Sequence, residues 1–126
     1  ALIEVHAESN CLALGVEDML TLVLHNLIKN AIYAIKSVCK GNITITVSHT
    51  SDGRVQLIFK DTAKGIPKSV QAKIFEPFFT TKHAETNIGL GLYFCKILVE
   101  KMQARLRCES EEGKYTTFYI TFDQLN

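Results

Sequence analysis

The chain is 126 residues long, with 47% hydrophobic and 21% charged residues, the size and balance of a single soluble globular domain. Its 14 Lys and Arg are scattered among 13 Asp and Glu for a formal net charge of +1, which excludes a basic stripe for nucleic acid and a polybasic run for a lipid surface. The longest apolar stretches, such as Leu20 to Leu24 and Ile97 to Val99, fall far short of the ~20 residues a membrane helix needs.

The chain begins at Ala1 rather than Met, with no charged, apolar and small-residue segments in succession. We therefore expect a fragment, residues 1–126, of a longer protein and no secretory signal. Two short strands are predicted around Leu2 to Val5 and Cys11 to Leu14, separated by the polar turn Glu8-Ser9-Asn10. From Glu17 to Lys40, Leu20, Leu24, Leu27, Ile28, Ala31, Ile35 and Val38 recur at steps of three and four, predicting a long amphipathic helix opened by acids and closed at Lys40-Gly41. Ile43, Ile45 and Val47, then Val55, Leu57 and Phe59, alternate with polar residues around Ser51-Asp52-Gly53 and predict a hairpin. A short helical turn after Pro67 leads to Phe75, Phe78 and Phe79, and then to an aperiodic loop from Thr80 to Asn87.

Helical spacing returns from Leu90 to Met102, with Leu92, Cys95, Leu98, Val99 and Met102 on one side. Alternating runs at Arg105 to Ser110 and Thr116 to Phe122 flank Glu111-Glu112-Gly113-Lys114 and predict a second hairpin. The sum is an α+β fold: a two-layer α/β sandwich with a mostly antiparallel mixed sheet and helices on one face. Cys11, Cys39, Cys95 and Cys108 lie far apart, without C-x-x-C or zinc-like spacing, and read as buried reduced thiols of a cytoplasmic domain.

Four segments could carry chemistry. HNLIKNA places Asn26 and Asn30 one helical turn apart on one face, and an amide carbonyl is a hard oxygen acceptable to Mg²⁺; exposed helix asparagines are an equally good reading of the pair alone. DTAKGIP puts Asp61 at a strand end beside Gly65, where a carboxylate can accept a hydrogen bond from an exocyclic amine, although a capped surface turn has the same spelling. IFEPFFTTK joins three phenylalanines to Thr80, Thr81 and Lys82, which offer donors to phosphate, while Phe75 and Phe78 themselves read as core. NIGLGLYF sets Gly89 and Gly91 at a helix start, where exposed N–H groups can meet an anion; a helix-entry turn needs the same glycines.

In this order and spacing the segments resemble the ATPase superfamily shared by histidine kinases, gyrase and heat-shock chaperones. HNLIKNA is similar to its asparagine box, DTAKGI to its first glycine box, IFEPFFTTK to its phenylalanine box, and GLGLYFCKILVE to its second glycine box. The FEPFFTTK spelling points to the ATP-binding catalytic domain of bacterial sensor histidine kinases, and details of spelling resemble quorum-sensing hybrid kinases. The resemblance implies ATP and Mg²⁺ as cofactors. It implies that Asn30 ligates Mg²⁺ with Asn26 near the γ-phosphate, and that Asp61 bonds the adenine amine over a floor at Gly65. Thr81 and Lys82 would belong to an ATP lid, Gly89, Leu90 and Gly91 would give backbone contacts to phosphate, Thr116 would approach adenine by way of Asp61, and Ile66, Ile58 and Leu92 would form apolar walls.

Four departures stand out. Ala63 replaces a usual Gly of the first box, Asn87-Ile88 replaces a common Gly-Thr, Tyr33 stands where many kinases have a phosphate-facing Lys, and Met102-Gln103-Ala104 replaces a common His-Gly-Gly turn. The implied activity is transfer of the γ-phosphoryl group to a histidine on a separate dimerisation and phosphoacceptor domain, with a response regulator or receiver domain downstream. His6, His25, His49 and His83 lack an acceptor context, and no contact with nucleic acid or membrane is expected of this segment. The alternatives are an ATP-hydrolysing motor of the gyrase or chaperone type, which Asn26 in place of an activating Glu disfavours, and a degenerate nucleotide-binding or protein-interaction module. A serine-phosphorylating anti-sigma or dehydrogenase kinase of the same superfamily is more distant.

Overall fold

The computed structural model describes residues 3–7, 17–77 and 91–125. Strand β1 (Ile3–Ala7) precedes helix α1 (Glu17–Val38), and strands β2 (Ile43–His49) and β3 (Arg54–Asp61) form the first hairpin. The short helix α2 (Lys68–Gln71) follows Pro67; helix α3 (Gly91–Lys101) leads to β4 (Ala104–Glu111) and β5 (Tyr115–Leu125). The five strands form one sheet in the order β1-β2-β3-β5-β4. β1 runs parallel to β2, and the other pairs are antiparallel, so the expected mixed and mostly antiparallel sheet is what folds.

Alternation along the strands sorts the two faces of the sheet. One face carries Ile43, Ile45 and Val47 from β2, Val55, Leu57 and Phe59 from β3, and Phe118 and Ile120 from β5, all buried. Against it lie Leu20, Val23, Leu27 and Ala31 of α1 and Cys95, Leu98 and Val99 of α3. Val23, Phe59, Val99 and Ile120 are fully excluded from solvent, and removing each such side chain from water contributes about 1.5–3 kcal/mol. The Cys95 thiol sits between the helices, 3.7 Å from the Val23 carbonyl oxygen, and burial pushes its pKa up to about 12.

Several boundaries differ from expectation for local reasons. α1 ends at Val38 because Cys39 turns left-handed, at φ 59°, before Lys40-Gly41 is reached. Gly41 serves another purpose: a Cβ there would lie 2.7 Å from the Thr62 carbonyl oxygen, so the chain can pass β3 only without a side chain. In the first hairpin only Gly53 has a positive φ, 88°; the Thr50 N–H to Arg54 carbonyl bond of 2.7 Å closes a loop in which Asp52 keeps an ordinary conformation. β1 extends to Ala7 rather than Val5, and the strand expected at Cys11 to Leu14 lies outside the described residues. Among the described residues, no helix is long and apolar enough to cross a membrane.

Candidate functional site

Asp61 occupies a slot that the sheet otherwise fills with hydrocarbon. Val55, Leu57, Phe59 and Asp61 share one face of β3, so the acid points to the core side at the end of the strand and is only 5% exposed. Its Cα partner across β5 is Thr116, also buried, and Thr116 in turn pairs with Ser110 on β4. The three residues form a polar row directly beyond the apolar row of Phe59, Phe118 and Cys108. The Ala63 N–H donates to Asp61 Oδ1 at 3.3 Å, too weak an interaction to offset desolvation, and burial pushes the carboxyl pKa up to about 6. The Cys108 thiol is pushed up to about 12, chiefly by burial and then by the charge of Asp61.

The loop after Asp61 and the helix α2 are tied to the second hairpin by three hydrogen bonds and to each other by a fourth. The Ile66 N–H donates to Ser110 Oγ at 2.7 Å, and the Gly113 N–H donates to the Lys64 carbonyl at 2.7 Å. The Gln71 side-chain amide donates to the Ile66 carbonyl at 2.8 Å and to the Ser110 carbonyl at 3.1 Å. Gly65 has φ 68°, and a Cβ there would stand 2.2 Å from the Glu111 carbonyl oxygen. The hairpin itself therefore demands glycine at this position, whatever ligand lies beyond it. Ile66 packs half-buried against the core.

α1 links this loop to a second region. The Asn26 side-chain amide donates to the Leu22 carbonyl at 3.0 Å, which leaves Oδ1 directed at α3, where a Cβ on Gly91 would come within 3.2 Å of it. Asn26, Asn30 and Tyr33 fall within a sector of about 60° on the helix, with Asn26 and Asn30 half-buried and Tyr33 exposed. Beyond the other end of the helix, a Cβ on Gly41 would lie 2.7 Å from the Thr62 carbonyl oxygen and 3.0 Å from both the Ala63 methyl and Ile35 Cγ1. From Asn26 to Ile35 is nine residues, ~14 Å along the axis. Leu92, in the first turn of α3, is half-buried against the core.

Two expectations are corrected. Ile58 lies on the opposite face of β3 from Asp61, opposite Tyr119, because an odd spacing in a strand reverses the side-chain direction; it cannot wall a pocket built on Asp61. Ala63 does not crowd an open cavity: it is 1% exposed, its methyl lies 3.0 Å from where a Cβ on Gly41 would be, and it has no positive φ, so alanine meets the backbone demand there. Thr81, Lys82, Gly89 and Leu90 lie outside the described residues. No sequence motif marks Ser110 or Gln71 as a site residue. The signal for Ser110 is a hydroxyl in the parity slot of Leu106 and Cys108, where a hydrocarbon is the rule.

A two-layer sandwich with a buried acid at the end of a core strand, and a long asparagine-bearing helix beside it, defines the class to which the comparisons lead. Residues 15–126 match the family described as "Histidine kinase-, DNA gyrase B-, and HSP90-like ATPase", and the chain belongs to that family. It is 35% identical over 106 residues to the autoinducer 1 sensor kinase/phosphatase LuxN of Vibrio campbellii, covering 84% of this chain and 12% of that protein. It is 36% identical over 104 residues to sporulation kinase E of Bacillus subtilis, covering 82% of this chain and 14% of the relative. The chain thus spans a small part of the curated relatives it matches. Among solved structures it is similar to the mycobacterial sensor histidine kinase MprB, with a TM-score of 0.80 at 24% identity over 96% of this chain and 82% of that one. It is also similar to full-length ShkA in complex with AMPPNP, with a TM-score of 0.76 at 27% identity over 98% of this chain and 27% of that one.

Proposed function

We propose that this domain binds Mg-ATP and presents its γ-phosphoryl group to a histidine carried on separate dimerisation helices, as the catalytic part of a sensor kinase. The observation that carries the reading is Asp61: a buried acid at the end of β3 that, among the described residues, has one weak protein donor, the Ala63 N–H. A buried carboxylate that costs the fold stability calls for a donor from outside, and an exocyclic amine is such a donor. Asp61 would hold the amine of adenine, with Thr116 beside it and Ile66 and Leu92 as apolar surface, while Asn26, Asn30 and the start of α3 at Gly91 would face the phosphates.

The residues fit Mg²⁺ held through phosphate. Among the described residues no group of three His, Cys, Asp or Glu could cage a cation, whereas the Asn30 amide oxygen is a hard ligand suited to an ion that keeps water and phosphate oxygens in its shell. When bound, the ion would offset charge on the transferring group. The chain's own contribution is positioning: Asn30 and Gly91 would orient the triphosphate, and the rigid hairpin at Asp61 would fix the base. Asn26 spends its Nδ2 on the Leu22 carbonyl and is not a base. This favours transfer over activation of water. Tyr33, Thr81, Lys82, Gly89 and Leu90 complete the proposed nucleotide set, and a response regulator would receive the phosphoryl group in turn.

The test is incubation of this chain with γ-labelled ATP, Mg²⁺ and a histidine-bearing helical hairpin from a related sensor kinase. Acid-labile, base-stable label on the hairpin supports the reading. Steady phosphate release without acceptor would instead make the domain an ATP hydrolase, and ATP binding with neither outcome would make it a binding module.

A further inference from the structure

The polar row beside Asp61 has a determined direction of donation. Ser110 Oγ lies 2.6 Å from the Tyr115 carbonyl oxygen, which can only accept, so the single Ser110 proton is committed there. The Ile66 N–H, which can only donate, takes one Ser110 lone pair at 2.7 Å. The 3.1 Å contact between Ser110 Oγ and Thr116 Oγ1 must then be donated by Thr116. With its only proton directed at Ser110, the Thr116 hydroxyl can offer a ligand nothing but lone pairs. The ionised Asp61 carboxylate, its Cα partner across the sheet, likewise offers only acceptors.

We propose that Ser110 is a positioning residue that sets base specificity: by drawing the Thr116 proton away, it leaves a recognition edge made of acceptors alone. The edge accepts a base that presents an amine and rejects one that presents a carbonyl oxygen at the same place. A free Thr116 hydroxyl could rotate and donate to the oxo group, relaxing the choice. This rests on the adenine-binding reading of Asp61. Gln71 holds the same loop to the same strand through Ile66 and Ser110 carbonyls, so loss of the Ser110 hydroxyl does not release the loop.

The test is titration calorimetry of this chain with ADP and with IDP, whose base carries an oxo group in place of the amine, for the unaltered chain, Ser110→Ala, Ser110→Thr and Gln71→Leu. One hydrogen bond's worth of discrimination predicts that Ser110→Ala narrows the ADP to IDP preference by about three- to tenfold, mostly through better IDP binding. Ser110→Thr is expected to keep the preference, and Gln71→Leu, which loosens the loop without changing the direction of donation, to weaken both ligands alike. Equal loss of ADP and IDP in Ser110→Ala, or no change in either, overturns the inference while leaving the adenine site standing. Absence of ADP binding by the unaltered chain overturns the functional reading and the inference with it.

Discussion

Replacing Asp61 by Asn is expected to stabilise the ligand-free domain at neutral pH while destroying its binding site. Burial raises the carboxyl from its ordinary value of 3.8 to about 6. At 1.36 kcal/mol per pH unit, that rise corresponds to about 3 kcal/mol. The direction follows from proton linkage: between pH ~4 and ~6 the folded chain keeps a proton that the unfolded chain has released, so stability falls as the pH rises through that window and stays low above it. Asn carries no charge to desolvate, and its Oδ1 can still accept from the Ala63 N–H. Its buried NH₂ costs about 1 kcal/mol of the gain, leaving about 2 kcal/mol. For a domain of this length the melting temperature would rise by ~6–10 °C. Urea unfolding of both forms at several pH values from 4 to 8 measures this directly. The expected difference is near 2 kcal/mol at pH 7–8 and shrinks to nothing or reverses at pH 4. A variant no more stable than the parent at pH 8, or a gain that does not depend on pH, would refute the reasoning that Asp61 is a desolvated acid.

Other expectations follow from the same geometry. Gly65→Ala forces a methyl against the Glu111 carbonyl oxygen at a positive φ and is expected to cost at least about 2 kcal/mol in thermal or urea unfolding. Cys39, an exposed thiol, holds a left-handed φ of 59° at the end of α1, so Cys39→Gly is expected to stabilise the chain by about 0.5–1 kcal/mol in urea unfolding without altering nucleotide affinity. If ADP needs the ionised Asp61, its affinity is expected to fall about tenfold for each pH unit below ~6, which calorimetry between pH 5 and 8 can follow.

The elements that sequence periodicity places well are those whose burial is one-sided. α1, α3 and the four antiparallel strands each carry a regular apolar stripe, and each was legible within a few residues. The sheet order was not, because the pairing of β3 with β5 depends on long-range register rather than on any local pattern. Asp61 stood out only through its motif. That it shares the face of Phe59 could have been read from parity alone, and the same parity argues against Ile58 as its neighbour. Ala63 looked like a defect against a glycine pattern, but backbone geometry asks for nothing special there, while Gly65 and Gly41 bear the close approaches. Nothing local marks Ser110: a serine near a turn is ordinary until the register places it beside Thr116.

The central claim is that Asp61 anchors an adenine nucleotide, and calorimetric titration of ADP and a non-hydrolysable ATP analogue, with and without Mg²⁺, into this chain and into Asp61→Asn tests it most directly. The account predicts micromolar to sub-millimolar binding by the unaltered chain, tighter for the triphosphate with Mg²⁺, and loss of both ligands in the variant. Binding that survives Asp61→Asn unchanged, or no binding by the unaltered chain at any accessible concentration, would contradict it.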